Sequence, residues 1–364
     1  MPLSPPLPYS PEIEEISDDE TALVGQLNAA FDEILRTTHQ DYGKAVRAVH
    51  AKSHGLLSGT LKVAADIPPE LAQGLFAVPG SYPVHIRLST NPGDILDDAV
   101  ALPRGLAMKV LNVEGERLPG AEGRTQDFVM INGPVFTAPD VKKFAGNLKI
   151  LAKTTDRAEG AKVAASKVFQ AINGALGAVG LESTKLAGLG GAPQVDPLGE
   201  TYFSVTPFRY GSYIAKFRLR PLSRGLTDLT GNKVDTSLGK DAIRETVRRE
   251  MAHIHGEWAF EVQLRRDAQS QPIEDASVEW KEDEAPFVQV ATLLLPPQDS
   301  WSEAQVRAVD EGMRFSVWTG LAAHRPLGGI NRARRDTYRH SSDFRAAANG
   351  CPLHEPLAQG AVNG

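Results

Sequence analysis

RAVHAKSHGLLSGTLKV, residues Arg47–Val63, admits two readings, and the fold depends on which one holds. On a continuous helix His50 and His54 stand four apart and share a face, where two imidazoles would hold a metal ion. As a turn followed by a strand, the same residues open a sheet. Gly55, Gly59, Thr60 and Val63 weaken a helix and suit a strand. A zinc-protease helix would also carry glutamate after the first histidine, where Ala51 stands. The strand reading is therefore adopted, with both histidines near a helix-to-strand turn.

Outward from that stretch, strands are expected at Leu57–Val63, Tyr82–Thr90, Gly105–Val113 and Gln126–Asn132, divided by turn-rich segments such as PPELAQG and TNPGD. Before them, Leu23, Leu27, Ala30, Phe31 and Ile34 recur at helical spacing, so residues 20–36 should form an amphipathic helix. Residues 1–17 read as an extended, proline-rich arm. After the strands come helices at 139–152 and 156–177, then a Gly/Ala-rich connection with no preceding strand and no GKS or GKT ending, hence no phosphate loop. Ile243, Val247 and Met251 mark a further helix, Trp258–Leu264 alternates as a strand, and FVQVATLLL is another. Helices around 303–313 and 329–347 close the chain. Sequential short strands without long intervening helices make the class α+β with an antiparallel core.

Composition sets the outer limits. The 364 residues are 41% hydrophobic and 23% charged, enough for a sizeable core and too apolar for global disorder. A formal charge of −6 gives no general attraction to phosphates, so nucleic acid is not expected as a partner. One cysteine, Cys351, leaves no internal disulfide framework and no cysteine-cluster metal site. The N-terminus carries prolines and acids where a signal peptide would carry a basic segment and an apolar run, and no window reads as a membrane span. The expected location is cytoplasmic.

Two further segments carry chemistry. In SYPVHIRLST alternation puts His85, Arg87 and Ser89 on one face and Val84, Ile86 and Leu88 on the other. The polar line serves an anionic ligand or is simply a solvated strand face. ALPRGLAMKV places Arg104 at a proline–glycine turn into the next strand. In NRARRDTYRHS, Arg334 and Tyr338 are four apart on an expected helix and should touch. A fixed cation favours the ionised phenol, a hard ligand for ferric iron, although such a pair also occurs on plain charged surface helices.

Taken in order, these segments resemble the haem catalases. VHAKSHGLLSGTLKV resembles their distal-histidine segment, HIRLST their arginine-x-serine-threonine strand, ALPRGLAMKV their PRG-containing strand and INGPVF their asparagine-containing turn. AIRETVRREMAHIHGEWAFEVQL is similar to a catalase helix and the strand after it, and Arg334–Tyr338 matches the R-x-x-x-Y proximal motif. The resemblance covers roughly residues 44–345, and the chain looks like the short, catalase-related haem peroxidases, or mini-catalases.

The resemblance implies a catalase-like antiparallel β-barrel core with surrounding α-helices, as an arm at 1–17, a single haem domain at 18–350 and a tail at 351–364. It implies haem b, with Tyr338 as the iron ligand and Arg334 keeping it phenolate. His50 would be the distal acid–base group, with Ser89 orienting it and Asn132 as the distal amide. Arg87 would meet a haem propionate, Arg104 would assist, Val49 would lie over the iron and Phe136 would line the haem face, leaving His54 a bystander. The expected reaction is reduction of hydrogen peroxide or an organic hydroperoxide by a small organic reductant, with minor catalase turnover, in a homodimer or homotetramer. Two alternatives stand beside it: a fatty-acid hydroperoxide isomerase or lyase on the same scaffold, against which Val49 speaks because such enzymes carry threonine there, and a non-catalytic haem-binding protein.

Overall fold

Ser53–Val63 is a strand in the computed structural model, which describes residues 3–154, 192–353 and 355–356. Its β1 pairs antiparallel with β2, Gly80–Thr90, which pairs with β3, Arg104–Leu111, and then β4, Thr125–Ile131. A second run joins β6, Phe208–Tyr210, β7, Tyr213–Pro221, β8, Gly256–Leu264, and β9, Phe287–Leu295. The runs meet where Thr60–Val63 of β1 pairs with Ala291–Leu294 of β9. The two-residue strand β5, Tyr202–Phe203, joins β4 to β7 and closes an eight-strand antiparallel barrel, with β6 attached outside the ring.

Alternation explains the closure. Leu57, Ile86, Leu88, Leu106, Met108, Phe128, Phe217 and Phe260 point inward from successive strands and fill the barrel. Phe76 caps them, 5.0 Å from the Phe260 ring, and Phe128 lies 4.8 Å from Phe260 and 6.3 Å from Phe76. His324 is fully buried beside this aromatic cluster, accepting a hydrogen bond from the Leu75 amide at 2.9 Å.

Helices cover one side. α1, Glu20–Tyr42, buries the stripe read from sequence, continues six residues past the expected end, and stops at Gly43, whose φ of 66° is left-handed. It packs with α2, Val141–Thr154, and the C-terminal helix of the described residues, Gly329–Asn349, through Leu27, Ile34, Val141, Leu148, Ile330 and Ala333. Between α2 and that helix lie short α3, Arg224–Thr227, α4, Ala242–Met251, and α5, Glu303–Gln305, so the C-terminal helix is α6. Where one helix was expected at 303–313, α5 gives way to a π-helical turn, Val306–Glu311, which carries Asp310.

The N-terminal arm is tied down by backbone hydrogen bonds, Leu7 to Arg265 O at 2.8 Å and Tyr9 to Ser212 O at 2.9 Å. Glu14 from the arm, Glu20 from α1 and Glu274 converge on Arg332 of α6. The helix expected at 156–177 and the Gly/Ala-rich connection after it lie outside the described residues.

Candidate functional site

The outer face of β2 and β3 and the inner face of α6 enclose a cavity of about 710 Å³, its mouth included. The turn Arg47–His50 forms one wall and Thr337, Tyr338, Ser341 and Arg345 of α6 contribute another. Ala48, Val49, Ala107 and Val129 give most of the rest an apolar surface.

His50 is held from several directions. It is not on a helix: its φ of 54° is left-handed, a conformation that costs a non-glycine residue about 1–3 kcal/mol and marks places where the surroundings over-determine the backbone. Its amide donates to Asn91 O at 2.7 Å, and its Nδ1 lies 3.1 Å from Ser89 Oγ. The ring rests on Gly105, where a Cβ would stand 2.6 Å from Cε1 and Nδ1. With Nδ1 taken by Ser89, Nε2 is the nitrogen left for the cavity. Burial, and then the cations Arg87, Arg334 and Arg47, hold the imidazole down to about 3, so it is neutral at physiological pH. The Ser89 hydroxyl is a rotor that donates to Nδ1 or accepts from it, and either tautomer is accommodated.

Three guanidiniums gather at one end. Arg87 Nε and Arg47 Nη1 meet Asp310 Oδ1 at 2.7 and 2.8 Å, and Arg345 donates to the carbonyls of Asp310 and Met313. The Asp310 carboxylate accepts from Arg47 and Arg87, whereas Arg345 reaches only the backbone carbonyl of Asp310. Burial alone would raise its carboxyl; Arg87 and Arg47 outweigh that and hold it well below the usual range. Burial, then Arg345 and Arg87, push Arg47 far below its ordinary value, and burial lowers Arg345 to about 10. Three cations sharing one anion is a group short of negative charge, suited to a ligand with two carboxylates. The apolar walls suit a flat body between them, and an imidazole and a phenol are both metal-ligating groups.

Of the residues singled out from sequence, His50, Val49, Ser89, Arg87 and Tyr338 line this cavity. Four do not. Asn132 turns away, because Phe128 and Met130 enter the barrel, Asp127 and Val129 face outward, and the same alternation gives the outward place to Ile131. Its Oδ1 accepts from the Arg104 amide at 2.7 Å and its Nδ2 donates to Glu200 at 2.6 Å. Arg104 has the parity opposite to Gly105, is 1% exposed, and donates to Leu102 O and Gln194. Phe136 packs on Phe144 at 5.1 Å, with the Arg334 guanidinium 5.6 Å from its centroid. Arg334 donates to Asn331 Oδ1 at 3.2 Å, where a direct contact with Tyr338 was expected. His54 is buried on β1 and bonds to Thr90 Oγ1 at 3.2 Å, remote in role from any paired-histidine site.

Sequence reading missed Arg47, Arg345, Asp310 and Gly105. Arg345 was findable, since seven residues after Tyr338 is two helical turns along the same face. Asp310 carried no local signal.

No protein-family model matches the chain, and no curated protein matches it in sequence. Solved structures match in shape. Catalase A from Saccharomyces cerevisiae is 17% identical, with a TM-score of 0.58 over 90% of this chain and 70% of that one. A fungal catalase is 18% identical, with a TM-score of 0.58 over 90% and 68%, and a bacterial catalase is 17% identical, with a TM-score of 0.57 over 98% and 68%. No helix among the described residues is long and apolar enough to cross a membrane. A closed eight-strand antiparallel barrel under a layer of helices, shared with three catalases across nearly its whole length, gives this chain a catalase-like fold.

Proposed function

We propose that the chain is a haem-dependent peroxidase of the short catalase-related kind, reducing hydrogen peroxide or an organic hydroperoxide with a small organic reductant. The observation that carries this reading is the lining of one cavity by His50, Tyr338 and three arginines, two of which pair with the Asp310 carboxylate while Arg345 bonds to backbone carbonyls. Haem b fits that lining: its two propionates answer the excess positive charge of Arg47, Arg87 and Arg345, and its ring plane answers the apolar walls. Bound haem would supply the two-electron redox chemistry of peroxide reduction.

The chain's own residues supply the rest. Tyr338 Oη is the donor offered to the iron. Neutral His50 accepts the hydroperoxide proton at Nε2 and returns it to the departing oxygen, help typically worth ~10²–10⁴ in rate. Ser89 holds Nδ1 so that Nε2 keeps its aim during both transfers. Asn132 is engaged by Arg104 and Glu200, so among the described residues the wall beside His50 offers no side-chain amide to orient a second hydrogen peroxide. That favours an organic donor over disproportionation. Assembly as a homodimer or homotetramer belongs to the same reading.

The test is to add haem to the purified chain and record the visible spectrum, then mix with peroxide and a phenolic donor. Stoichiometric uptake is expected, with a spectrum changed in Tyr338→Phe, donor oxidation by the native protein, and near-complete loss of that oxidation in His50→Ala with haem retained. A chain that takes up no haem, or a His50→Ala variant as fast as native, ends the proposal.

A further inference from the structure

Arg87, whose charge faces the cavity, also makes three hydrogen bonds within the protein. It is 2% exposed, its Nε donates to Asp310 Oδ1 at 2.7 Å, and its Nη2 donates to the carbonyls of His50 at 2.8 Å and Ala51 at 3.1 Å. Those carbonyls follow the one cavity residue with a left-handed backbone, since the other non-glycine residues with positive φ are Asn112 and Val205. The preceding side of the turn is held by a different partner: the His50 and Ala51 amides donate to Asn91 O and Pro92 O. Asp310 is itself fixed, accepting from Ser53 Oγ at 2.8 Å and from Arg47, and it sits in a π-helical turn, an irregularity that recurs at functional sites.

We infer that Arg87 and Asp310 act as one positioning device for His50: the carboxylate fixes the guanidinium, and the guanidinium fixes two successive carbonyls so that the left-handed turn, and with it the aim of Nε2, is set before any cofactor arrives. A planar fork is needed for this. One guanidinium reaches a carboxylate on one side and two carbonyls on the other, whereas a lysine ammonium is a point donor on a flexible stem. His50 lies in the turn just before β1, and Arg87 lies on β2, paired to β1 at Ser53↔Ser89 and Leu56↔Arg87, so the barrel register delivers the fork to the turn. The device rests on the proposed role of His50 for its catalytic meaning, but its mechanical content stands without haem.

The experiment therefore uses the haem-free chain. Hydrogen–deuterium exchange is read at the His50 and Ala51 amides and expressed relative to Leu57 and Ile86 in the barrel strands, so that a general loss of stability cancels. Arg87→Lys and Asp310→Ala are expected to raise that ratio by tenfold or more. Asp310→Asn, which keeps an oxygen acceptor for Nε, is expected to return the ratio to near the native value. A ratio unchanged in Arg87→Lys and Asp310→Ala overturns the inference, as does an Asp310→Asn ratio equal to that of Asp310→Ala. Haem uptake by the native chain, measured separately, decides the proposed function and leaves this result standing either way.

Discussion

Gly105 lies directly under the imidazole of His50, leaving no room for a methyl group: a Cβ at 105 would stand 2.6 Å from Nδ1, the atom that meets Ser89. The ring therefore owes its place to a missing side chain on β3 as much as to its own hydrogen bonds. Gly105→Ala should push the imidazole off Ser89 while the barrel remains closed. Peroxide turnover of the haem-loaded protein is expected to fall about 100-fold, within the range for lost acid–base help. Haem uptake should hardly change. Full activity in this variant would mean that the alignment of Nδ1 with Ser89 is unimportant.

Arg345 is the clearest test of the charge shortage, because it hydrogen-bonds to backbone carbonyls and leaves Asp310 paired with Arg87 and Arg47. Arg345→Met should weaken haem binding by roughly 10- to 100-fold, the equivalent of one charge-assisted hydrogen bond. Titration of haem into the variant measures it. Unaltered affinity would place the carboxylates elsewhere.

His324 predicts a pH dependence of stability. Burial holds its folded value down to about 3 against an ordinary 6.5, so the unfolded chain binds the proton more readily. The neutral residue's contribution is complete above pH 6.5 and is lost as pH falls toward the folded value, at roughly 1.4 kcal/mol per pH unit. His324→Gln keeps an acceptor for the Leu75 amide and removes the titration. The stability gap between native and variant should thus shift by roughly 2–3 kcal/mol in the variant's favour between pH 7 and pH 4.5. Denaturant titrations giving the same gap at both pH values would contradict it.

Lys109 on β3 is fully buried between Asp127 of β4 and Glu355, at 2.7 and 2.6 Å. Lys109→Met leaves Asp127 enclosed without its cation, while Glu355 keeps Arg314 at 3.0 Å, a change expected to cost about 3–5 kcal/mol at neutral pH. Burial already raises Asp127, and removing Lys109 raises it further. A group whose folded value lies above its unfolded one stabilises at low pH and loses that contribution as pH rises. The variant should accordingly lie closest to native in mild acid and furthest from it in alkali, and thermal melts with a gap that does not change with pH would contradict it.

Much of this was legible from sequence, for a definite reason. Strands β1–β4, β8 and β9 carry long alternating patterns, and FVQVATLLL matches β9 residue for residue. β5 and β6, at two and three residues, are too short for any period to register, and the sheet gave them their form. At the site, His50, Ser89 and Tyr338 were readable because each sits in a local motif. Asn132 was misplaced although the information was present: counting alternate residues from Phe128 assigns the outward position to Ile131. Asp310 and Arg47 meet across 263 residues of chain, a relationship that only the folded barrel creates.

The sheet holds two consecutive meanders, β1–β4 and β6–β9, each made by neighbours in sequence, with β6 lying outside the closed ring. They are sewn together at Thr60–Leu294 on one side and by the tiny β5 on the other. Each half is assembled from nearby partners, whereas both seams wait for segments far apart along the polypeptide, whose loop-closure entropy must be met first. Docking of the two halves is therefore expected to follow the formation of each, and His50, on the first, faces α6 only once that helix is in place.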